Sequence, residues 1–225
     1  MRVCLFDIDG TLINSGGAGG AAMLAAFAEE FGATDFRHDI QAAGRTDRAI
    51  ALDVFKAFGL TMDESSYDRY LEAYLRHLPI QLRQRSGLVL PGITESLSAL
   101  SQVPEMALGL LTGNLQRGAY IKLEHFALHE FFDFGGFGDR HLSRNEVARD
   151  AFRTIKTRFG SDLDPDDIWV IGDTPADIEC GRAISARTLA VSTGIFSNDE
   201  LAACDPDVLL EDLTDLQRLL KLLEI

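Results

Sequence analysis

The sequence predicts an α/β fold, a doubly wound parallel sheet with helices on both faces and an inserted helical unit. Short apolar runs rich in β-branched residues are typical of buried strands, and helical patterns lie between most of them. A long stretch near the N-terminus interrupts this alternation and has helical periodicity only. The 225 residues are many for one compact domain and few for two, so one domain with an insertion fits the length.

The predicted core elements alternate along the chain. The strands are predicted at residues 3–8, 107–111, 131–135, 168–171, 187–192 and 207–210. Core helices are predicted at residues 115–126, 145–159, 175–184 and 213–223. A further core helix is predicted to begin at Leu90-Pro91-Gly92, because a proline suits the first helical turn.

The helical insert occupies the stretch between the first two core strands. Helical periodicity runs through residues 21–31, 47–58 and 64–83, with no convincing strand. Ser15-Gly16-Gly17 precedes the insert and Arg85-Ser86-Gly87 follows it, and such residues tolerate the backbone angles of a hinge. We therefore expect a core of residues 1–14 and 87–225 and a helical cap domain of residues 15–86.

Composition excludes several classes of partner. The net charge of −14, from 35 acidic and 21 basic residues, would repel a nucleic-acid backbone. A small anionic substrate remains possible, because a few fixed cations can reverse the field inside a pocket. Cys4, Cys180 and Cys204 are too far apart for a zinc motif or a disulfide framework. With no secretory pattern and no apolar run long enough for a bilayer, we expect a cytoplasmic protein without a membrane partner.

The first candidate site is Phe6-Asp7-Ile8-Asp9-Gly10-Thr11, where an apolar run ends in two acids. Residues two apart in an extended chain point the same way, and two such carboxylates repel unless a cation lies between them or one is protonated. This pattern favours a nucleophile beside an acid/base, bridged by Mg²⁺. The alternative is a plain turn that follows a stray acid at the strand end.

A second candidate lies where another strand leads into the helix at Leu115. Thr112, Gly113 and Asn114 offer a hydroxyl, a flexible glycine and amides at a helix N-terminus, which together suit an anion. The alternative is a helix cap in which Thr112 or Asn114 accepts hydrogen bonds from first-turn amides. One segment can serve both purposes.

A third candidate follows the predicted strand at residues 168–171. Thr174 and Pro175 suit the cap and first residue of a helix, and Asp177 stands where a capping-box acid belongs. Capping leaves Asp173 unexplained. Next to Asp7, it would add a further oxygen donor for a hard cation.

A site with several carboxylates and a phosphate also needs a positive side chain. Arg144 lies on a loop or first helical turn, and its planar guanidinium matches phosphate oxygens. Lys156 lies about 18 Å further along the same helix, so we expect it to be solvated. We favour Arg144, with Lys156 as the alternative.

The four stretches, in this order, resemble the motifs of the haloacid dehalogenase superfamily of phosphohydrolases. The resemblance covers nearly the whole chain and implies that Asp7 attacks phosphorus, while Asp9 protonates the leaving group and then activates water. It also implies Mg²⁺ held by the side chains of Asp7 and Asp173 and the carbonyl of Asp9, with Asp177 in support.

The same resemblance implies a seat for the phosphoryl group. Thr112, the amides of Asp9 and Gly113, and Arg144 would form it. Arg144 stands where the family usually has lysine, so its reach and geometry depart from the pattern.

The helical insert is similar to the cap of the phosphoglycolate phosphatase and β-phosphoglucomutase branch. Gly44-Arg45-Thr46-Asp47 stands where caps of this branch contact substrate, and Arg45 could pair with a substrate carboxylate. The alternative is a solvated helix start with Thr46 as its N-cap. Such a cap would exclude water and select the leaving group.

The resemblance thus implies a Mg²⁺-dependent phosphatase for a small, phosphoglycolate-like monoester of a phosphorylated metabolite. A phosphomutase remains an alternative. A haloacid dehalogenase needs neither a metal nor a second acid, so Asp9 and Asp173 argue against it. A binding or regulatory protein with this fold is a further alternative, although the site residues are all present.

Overall fold

A computed structural model describes residues 1–34 and 40–224. The strands are β1 Arg2–Phe6, β2 Ile13–Asn14, β3 Leu88–Val89, β4 Met106–Leu111, β5 Gly135–Gly136, β6 Ile168–Gly172, β7 Arg187–Val191 and β8 Val208–Leu210. The helices are α1 Ala18–Phe31, α2 Asp47–Ala57, α3 Glu64–Gln84, α4 Ile93–Leu100, α5 Gln116–His125, α6 Arg144–Phe159, α7 Pro175–Ala183, α8 Asn198–Ala202 and α9 Leu216–Leu222. None of the described helices is long and apolar enough to cross a membrane.

The central sheet confirms the predicted fold class. Its strand order is β5-β4-β1-β6-β7-β8, and every neighbouring pair is parallel. Strand β1 lies in the middle, with Val3 and Leu5 packed on one face and Cys4 and Phe6 on the other. Because both faces are covered, the strand is a continuous apolar run rather than an alternating one.

The insert has an apolar cluster of its own. Helices α1, α2 and α3 bury Phe27, Phe55 and Tyr70 together, and the ring centroids of Phe27 and Phe55 are 4.9 Å apart. The cluster extends to Leu115, next to α5 of the core. A two-residue antiparallel ladder of β2 with β3, which the sequence did not predict, joins the two connections between insert and sheet.

Two local predictions were wrong, and one short helix was not predicted. Residues 131–135 are not a full strand: a 3₁₀ turn covers His129–Phe131, and only β5 pairs with the sheet. The aromatic run looks like a strand because its rings fill the core, as Phe132 does against Phe6. Pro91 precedes its helix, which begins at Ile93 after Gly92 at φ 77°. The short helix α8 was not predicted.

Candidate active site

The candidate active site lies at the carboxyl ends of three neighbouring strands. Asp7 follows β1, Thr112 follows β4 and Asp173 follows β6. Because β1 is hydrogen-bonded to both β4 and β6, the three side chains meet at one edge of the sheet. This is the place where open α/β sheets bind their ligands.

Asp7 is a buried acid with little compensating charge. Burial raises its pKa to about 7; the Arg144 guanidinium opposes this shift, and the nearby Asp177 and Asp9 add to it. One carboxylate oxygen, Oδ1, has no hydrogen-bond partner among the described residues and lies 3.5 Å from Arg144 Nη2. An uncovered buried oxygen of this kind suits a cation or a reacting group.

Asp173 faces Asp7 from the end of β6. Burial, together with the charges of Asp177 and Asp7, raises the pKa of Asp173 to about 8. Its Oδ1 accepts a hydrogen bond of 2.9 Å from the Thr11 hydroxyl. A side chain at Gly10, where φ is 89°, would collide with this carboxylate, so the glycine admits the close approach of the loop.

The third acid, Asp177, is already engaged. Its Oδ2 accepts hydrogen bonds from the backbone amide (3.1 Å) and hydroxyl (2.8 Å) of Thr174, which confirms the predicted capping box. Its Oδ1 lies 2.5 Å from Arg144 Nη2. Oxygens of Asp7, Asp173 and Asp177 lie within 4.8 Å of one another, which fits a hard divalent cation.

Asp9 has a different environment, because a lysine that the sequence analysis missed lies beside it. Its Oδ2 is 2.5 Å from Lys122 Nζ and accepts a 2.9 Å bond from Asn114 Nδ2, while its Oδ1 accepts a 3.2 Å bond from Ser15. Burial alone would raise the pKa of Asp9, but the Lys122 ammonium and these hydrogen bonds lower it. The two site aspartates are therefore differentiated by their partners.

Lys122 is held by several groups at once. Its ammonium also donates to Asn114 Oδ1 at 2.5 Å, and its side chain is 4% exposed. Burial would lower its pKa, but Asp9 and Asp47 outweigh this and raise it. A sequence signal existed: Lys122 stands among Gly118, Ala119 and Leu123, on the buried face of α5.

The second candidate segment, Thr112 to Asn114, leads into a helix whose first amides bind acids from elsewhere in the chain. Thr112 is fully buried, and its hydroxyl accepts hydrogen bonds from the amide and side chain of Asn114. The alternative interpretation, in which Thr112 or Asn114 caps α5, is wrong, because Asp47 Oδ2 accepts a hydrogen bond from Leu115 N and Asp139 Oδ2 accepts one from Gln116 N, each at 2.9 Å. These anions take the favourable places at the helix N-terminus.

Asp47 links the insert to the core and was also missed. Besides its bond to Leu115, its amide donates to the Gly113 carbonyl at 2.7 Å. Burial raises the pKa of this carboxyl to about 6, against the lowering effects of Lys122 and the Leu115 amide. Gly113 has no room for a side chain, because the backbone of Arg45 packs against it.

The two candidate cations, Arg144 and Lys156, lie in different places. The Arg144 guanidinium is buried at the site and also donates to the Leu111 carbonyl at 3.1 Å, while its Nε has no hydrogen-bond partner among the described residues. Lys156 Nζ donates instead to the carbonyls of Ser161 and Leu163 at the far end of α6. The structure therefore brings Arg144, and not Lys156, to Asp7.

Arg45 lines the same cavity as the acids but is paired within the insert. Its Nη2 lies 2.7 Å from Asp53 Oδ2, and its guanidinium also donates to the carbonyls of Gln41 and Ala49. Thr46 is the N-cap of α2, as the alternative interpretation expected, with its hydroxyl accepting from Ala49 N at 3.2 Å. Thr46 is fully buried rather than solvated.

Comparison with known proteins identifies the family. A family model described as haloacid dehalogenase-like hydrolase matches residues 4–191. This chain belongs to that family. The match spans all four stretches that the sequence analysis singled out.

The hydrolase is similar to several curated bacterial phosphatases. It is 26% identical to the probable phosphatase IndB of Dickeya dadantii, over 94% of this chain and 90% of that protein. It is 28% identical to the phosphoglycolate phosphatase of Synechococcus elongatus, over 96% and 95% of the two chains. The hydrolase is accordingly a phosphoric monoester hydrolase of the haloacid dehalogenase type.

Solved structures share the fold. CbbY from Rhodobacter sphaeroides, in complex with xylulose-(1,5)-bisphosphate, has a TM-score of 0.74 at 17% identity and 96% coverage of each chain. A predicted phosphoglycolate phosphatase from Haemophilus somnus has a TM-score of 0.71 at 18% identity, with 97% of each chain covered. At these identities the likeness concerns the fold of the hydrolase.

Proposed function

We propose that this hydrolase is a Mg²⁺-dependent phosphatase that cleaves a small phosphate monoester through an aspartyl-phosphate at Asp7. One observation carries the proposal: two aspartates share one edge of the sheet, and their environments differ. Asp7 has an uncovered oxygen beside Arg144, whereas both oxygens of Asp9 are hydrogen-bonded and one is paired with Lys122. Paired acids with distinct environments suit separate roles in catalysis.

In the first step, an oxygen of Asp7 attacks phosphorus and the bond from phosphorus to the ester oxygen breaks. The departing oxygen takes a proton from Asp9. Asp9 must be protonated for this step, whereas the Lys122 ammonium bonded to its Oδ2 stabilises the carboxylate form that the second step needs. The products are an alcohol and the phosphorylated Asp7.

In the second step, Asp9 accepts a proton from a water molecule, whose oxygen attacks the phosphorylated Asp7. The bond from phosphorus to the Asp7 oxygen breaks, which releases inorganic phosphate and restores the carboxylate. The lowered pKa of Asp9 keeps its carboxyl group ionised, which is the form that can accept the proton. Lys122 and Asn114 hold the carboxylate in place for both steps.

The acids of the site fit a magnesium ion. The side chains of Asp7 and Asp173 would hold it together with the Asp9 carbonyl, because burial and the neighbouring acids raise the pKa of these two carboxyl groups and a cation would stabilise their ionised form. Asp177 would support it indirectly, since both of its oxygens already bind Arg144 and Thr174. When bound, Mg²⁺ supplies charge neutralisation for the acids and the phosphoryl oxygens.

Other groups of the chain would hold the phosphoryl oxygens. Arg144 is buried beside Asp7, and its Nε–H has no hydrogen-bond partner among the described residues. Among the described residues, the backbone amides of Asp9 and Gly113 donate no hydrogen bond. Both amides can therefore donate to an anion. Thr112 and Asn114 complete this seat, which suits charge that develops at the phosphoryl group.

The insert would act as the cap. We propose residues 15–86 as a cap domain on a core of residues 1–14 and 87–225, because Asp47 and Arg48 of the insert donate hydrogen bonds to the carbonyls of Gly113 and Asp139 in the core. The cap would exclude water from the phosphorylated Asp7 and select a small phosphorylated metabolite. Similarity to phosphoglycolate phosphatases makes phosphoglycolate the first substrate to examine. The three free cysteines suit a cytoplasmic location.

The test is phosphate release from a panel of small monoesters, including phosphoglycolate and sugar phosphates, with Mg²⁺ or with EDTA. We expect release that requires Mg²⁺ and falls by at least ~10⁴-fold in Asp7→Asn, because the variant lacks the attacking oxygen. Asp133→Asn, a change to an exposed acid outside the site, is the matched control. Release that persists in EDTA or in Asp7→Asn would overturn the proposal.

A further inference from the structure

The cavity above Asp7 has two chemically different ends. Its volume is about 570 Å³, in the usual range for sites that take a whole small molecule rather than a two-carbon acid. The acids, Lys122 and Arg144 lie at the inner end. The outer walls are apolar and come mainly from the insert: Met23, Leu24, Ile40, Ile50, Val54 and, from the core, Ile195.

The cavity mouth exposes apolar side chains to water. Leu24 and Ile195, which are 39% and 78% exposed, both line it. These two are among the few large apolar residues that the described chain leaves exposed. Exposed apolar surface that continues into a cavity marks a ligand site, and here it continues directly to the phosphoryl seat.

The positive side chains of the cavity are already paired. Arg45 binds Asp53, Lys122 binds Asp9 and Arg144 binds Asp177, so no described cation of the lining is left for a charged leaving group. Asp47, which is partly exposed beside Lys122, adds negative charge to the wall. A carboxylate on the leaving group would therefore be repelled by Asp47 and would find no unpaired cation among the described lining residues.

Helix α1 keeps its side of the cavity open. Gly19 and Gly20 line the cavity inside the first turns of α1, although glycine weakens a helix. A side-chain carbon at Gly19 would lie 3.6 Å from Lys122 Nζ, whereas one at Gly20 would meet nothing within 4 Å. The helix therefore leaves room for a ligand between its backbone and the acids.

Resting on the proposed phosphatase activity, we propose that the cavity selects phosphate monoesters whose leaving group has an uncharged apolar body. The phosphoryl group would lie at Asp7, the ester oxygen at Asp9, and the apolar body between α1 and α2. Affinity would then come from apolar contact with Met23, Leu24 and Val54 rather than from an ion pair with Arg45.

A binding experiment separates this proposal from the activity. Methyl-, butyl- and hexylphosphonate, which cannot be hydrolysed, and phosphonoacetate as the carboxylate probe are titrated calorimetrically into the full chain with Mg²⁺. We expect the affinity to rise about threefold to fourfold for each added methylene group, with phosphonoacetate no tighter than methylphosphonate. The kcat/KM values of the matching alkyl phosphates should follow the same order.

Two matched variants locate the contact. Leu24→Gln and Ile80→Gln change residues of almost equal exposure, 39% and 38%, on insert helices, but only Leu24 lines the cavity. We expect Leu24→Gln to flatten the dependence on chain length and Ile80→Gln to preserve it. Arg45→Ala should change the affinity for phosphonoacetate no more than the affinities for the alkylphosphonates, because Arg45 is paired with Asp53.

The proposal would be overturned by tighter binding of phosphonoacetate than of butylphosphonate, by no dependence on chain length, or by the same effect of Leu24→Gln and Ile80→Gln. A loss confined to phosphonoacetate in Arg45→Ala would instead support a carboxylate site at Arg45, and would also overturn it. Chain-length dependence of binding without any phosphate release would contradict only the proposed phosphatase reaction.

Discussion

The two ends of the cavity are built on different principles. At the inner end, charged groups stand at the ends of parallel strands, and hydrogen bonds to Asn114, Lys122 and Thr174 hold them. At the outer end, apolar side chains project from helices of the insert. The inner end is fixed by a sheet that is buried on both faces, whereas the outer end depends on packing within α1, α2 and α3.

This difference indicates a division of labour. Displacement at phosphorus needs a nucleophile and a proton carrier held to fractions of an ångström, which rigid strand ends supply. Leaving-group choice needs only shape and apolar contact, which a helix surface supplies and can change without disturbing the chemistry. Mutations at the inner end should therefore reduce kcat on every substrate, and those at the outer end should reorder substrates.

After Asp7→Asn, the largest loss of activity at the inner end should come from Lys122→Met. We expect kcat to fall by about 10²-fold or more with KM nearly unchanged, because Asp9 loses the partner that fixes its position and charge. Lys122→Arg should restore part of the loss. Steady-state kinetics on one alkyl phosphate measures both values.

Lys156→Met is the matched control for this prediction, since the Lys156 ammonium lies at the far end of α6, where it donates to the carbonyls of Ser161 and Leu163 and lies over the Phe152 ring. Its kcat should remain near that of the unmodified enzyme. Equal losses in the two lysine variants, or a loss in Lys122→Met seen only in KM, would show that Lys122 does not position Asp9.

A smaller effect should appear in the pH dependence of stability. Burial raises the pKa of Asp7 to about 7 and of Asp173 to about 8, so the metal-free fold is favoured below the ordinary carboxyl pKa and loses this advantage as pH rises through 7 to 8. Mg²⁺ binds the ionised acids. The rise in Tm on adding Mg²⁺ should therefore grow from pH 5.5 to pH 8.5.

At the higher pH, we expect a rise in Tm of about 5 to 10 °C with Mg²⁺ near 100 times its Kd, measured by thermal unfolding. Asp173→Asn should remove most of this rise, whereas Asp133→Asn, at an exposed position, should retain it. A rise that is independent of pH would contradict the assignment of the metal to the acids beside Asp7.

The sequence predicted the acids of the inner end because they interrupt apolar runs. Asp7, Asp9 and Asp173 stand at strand ends, where local pattern and topology alone bring them together. Lys122 and Asp47 were missed because their roles depend on partners far along the chain: Lys122 binds Asp9 across 113 residues, and Asp47 binds Leu115 across 68. Lys122 lies in no short motif, and the stretch Gly44-Arg45-Thr46-Asp47 gives no local sign of the bond from Leu115 to Asp47.

The outer end was less predictable for a similar reason. Helical periodicity predicted α1, α2 and α3, but the same apolar pattern serves both the insert core, as at Phe27, and the cavity wall, as at Leu24. The ion pair of Arg45 with Asp53 also depends on the turn between residue 45 and α2. Aromatic residues near Phe132 mimicked a strand because they fill a core while making few ladder hydrogen bonds.

The most direct test of the inner end is to trap the phosphorylated enzyme. Asp9→Asn is mixed with an aryl phosphate and Mg²⁺, quenched in acid and digested for mass spectrometry. An aryl leaving group needs no proton to depart, whereas hydrolysis of the intermediate needs the missing base, so the intermediate should accumulate. The account predicts a phosphoryl group on the peptide that contains Asp7, and none in Asp7→Asn. A phosphoryl group on another residue, or turnover by Asp9→Asn at the unmodified rate, would contradict it.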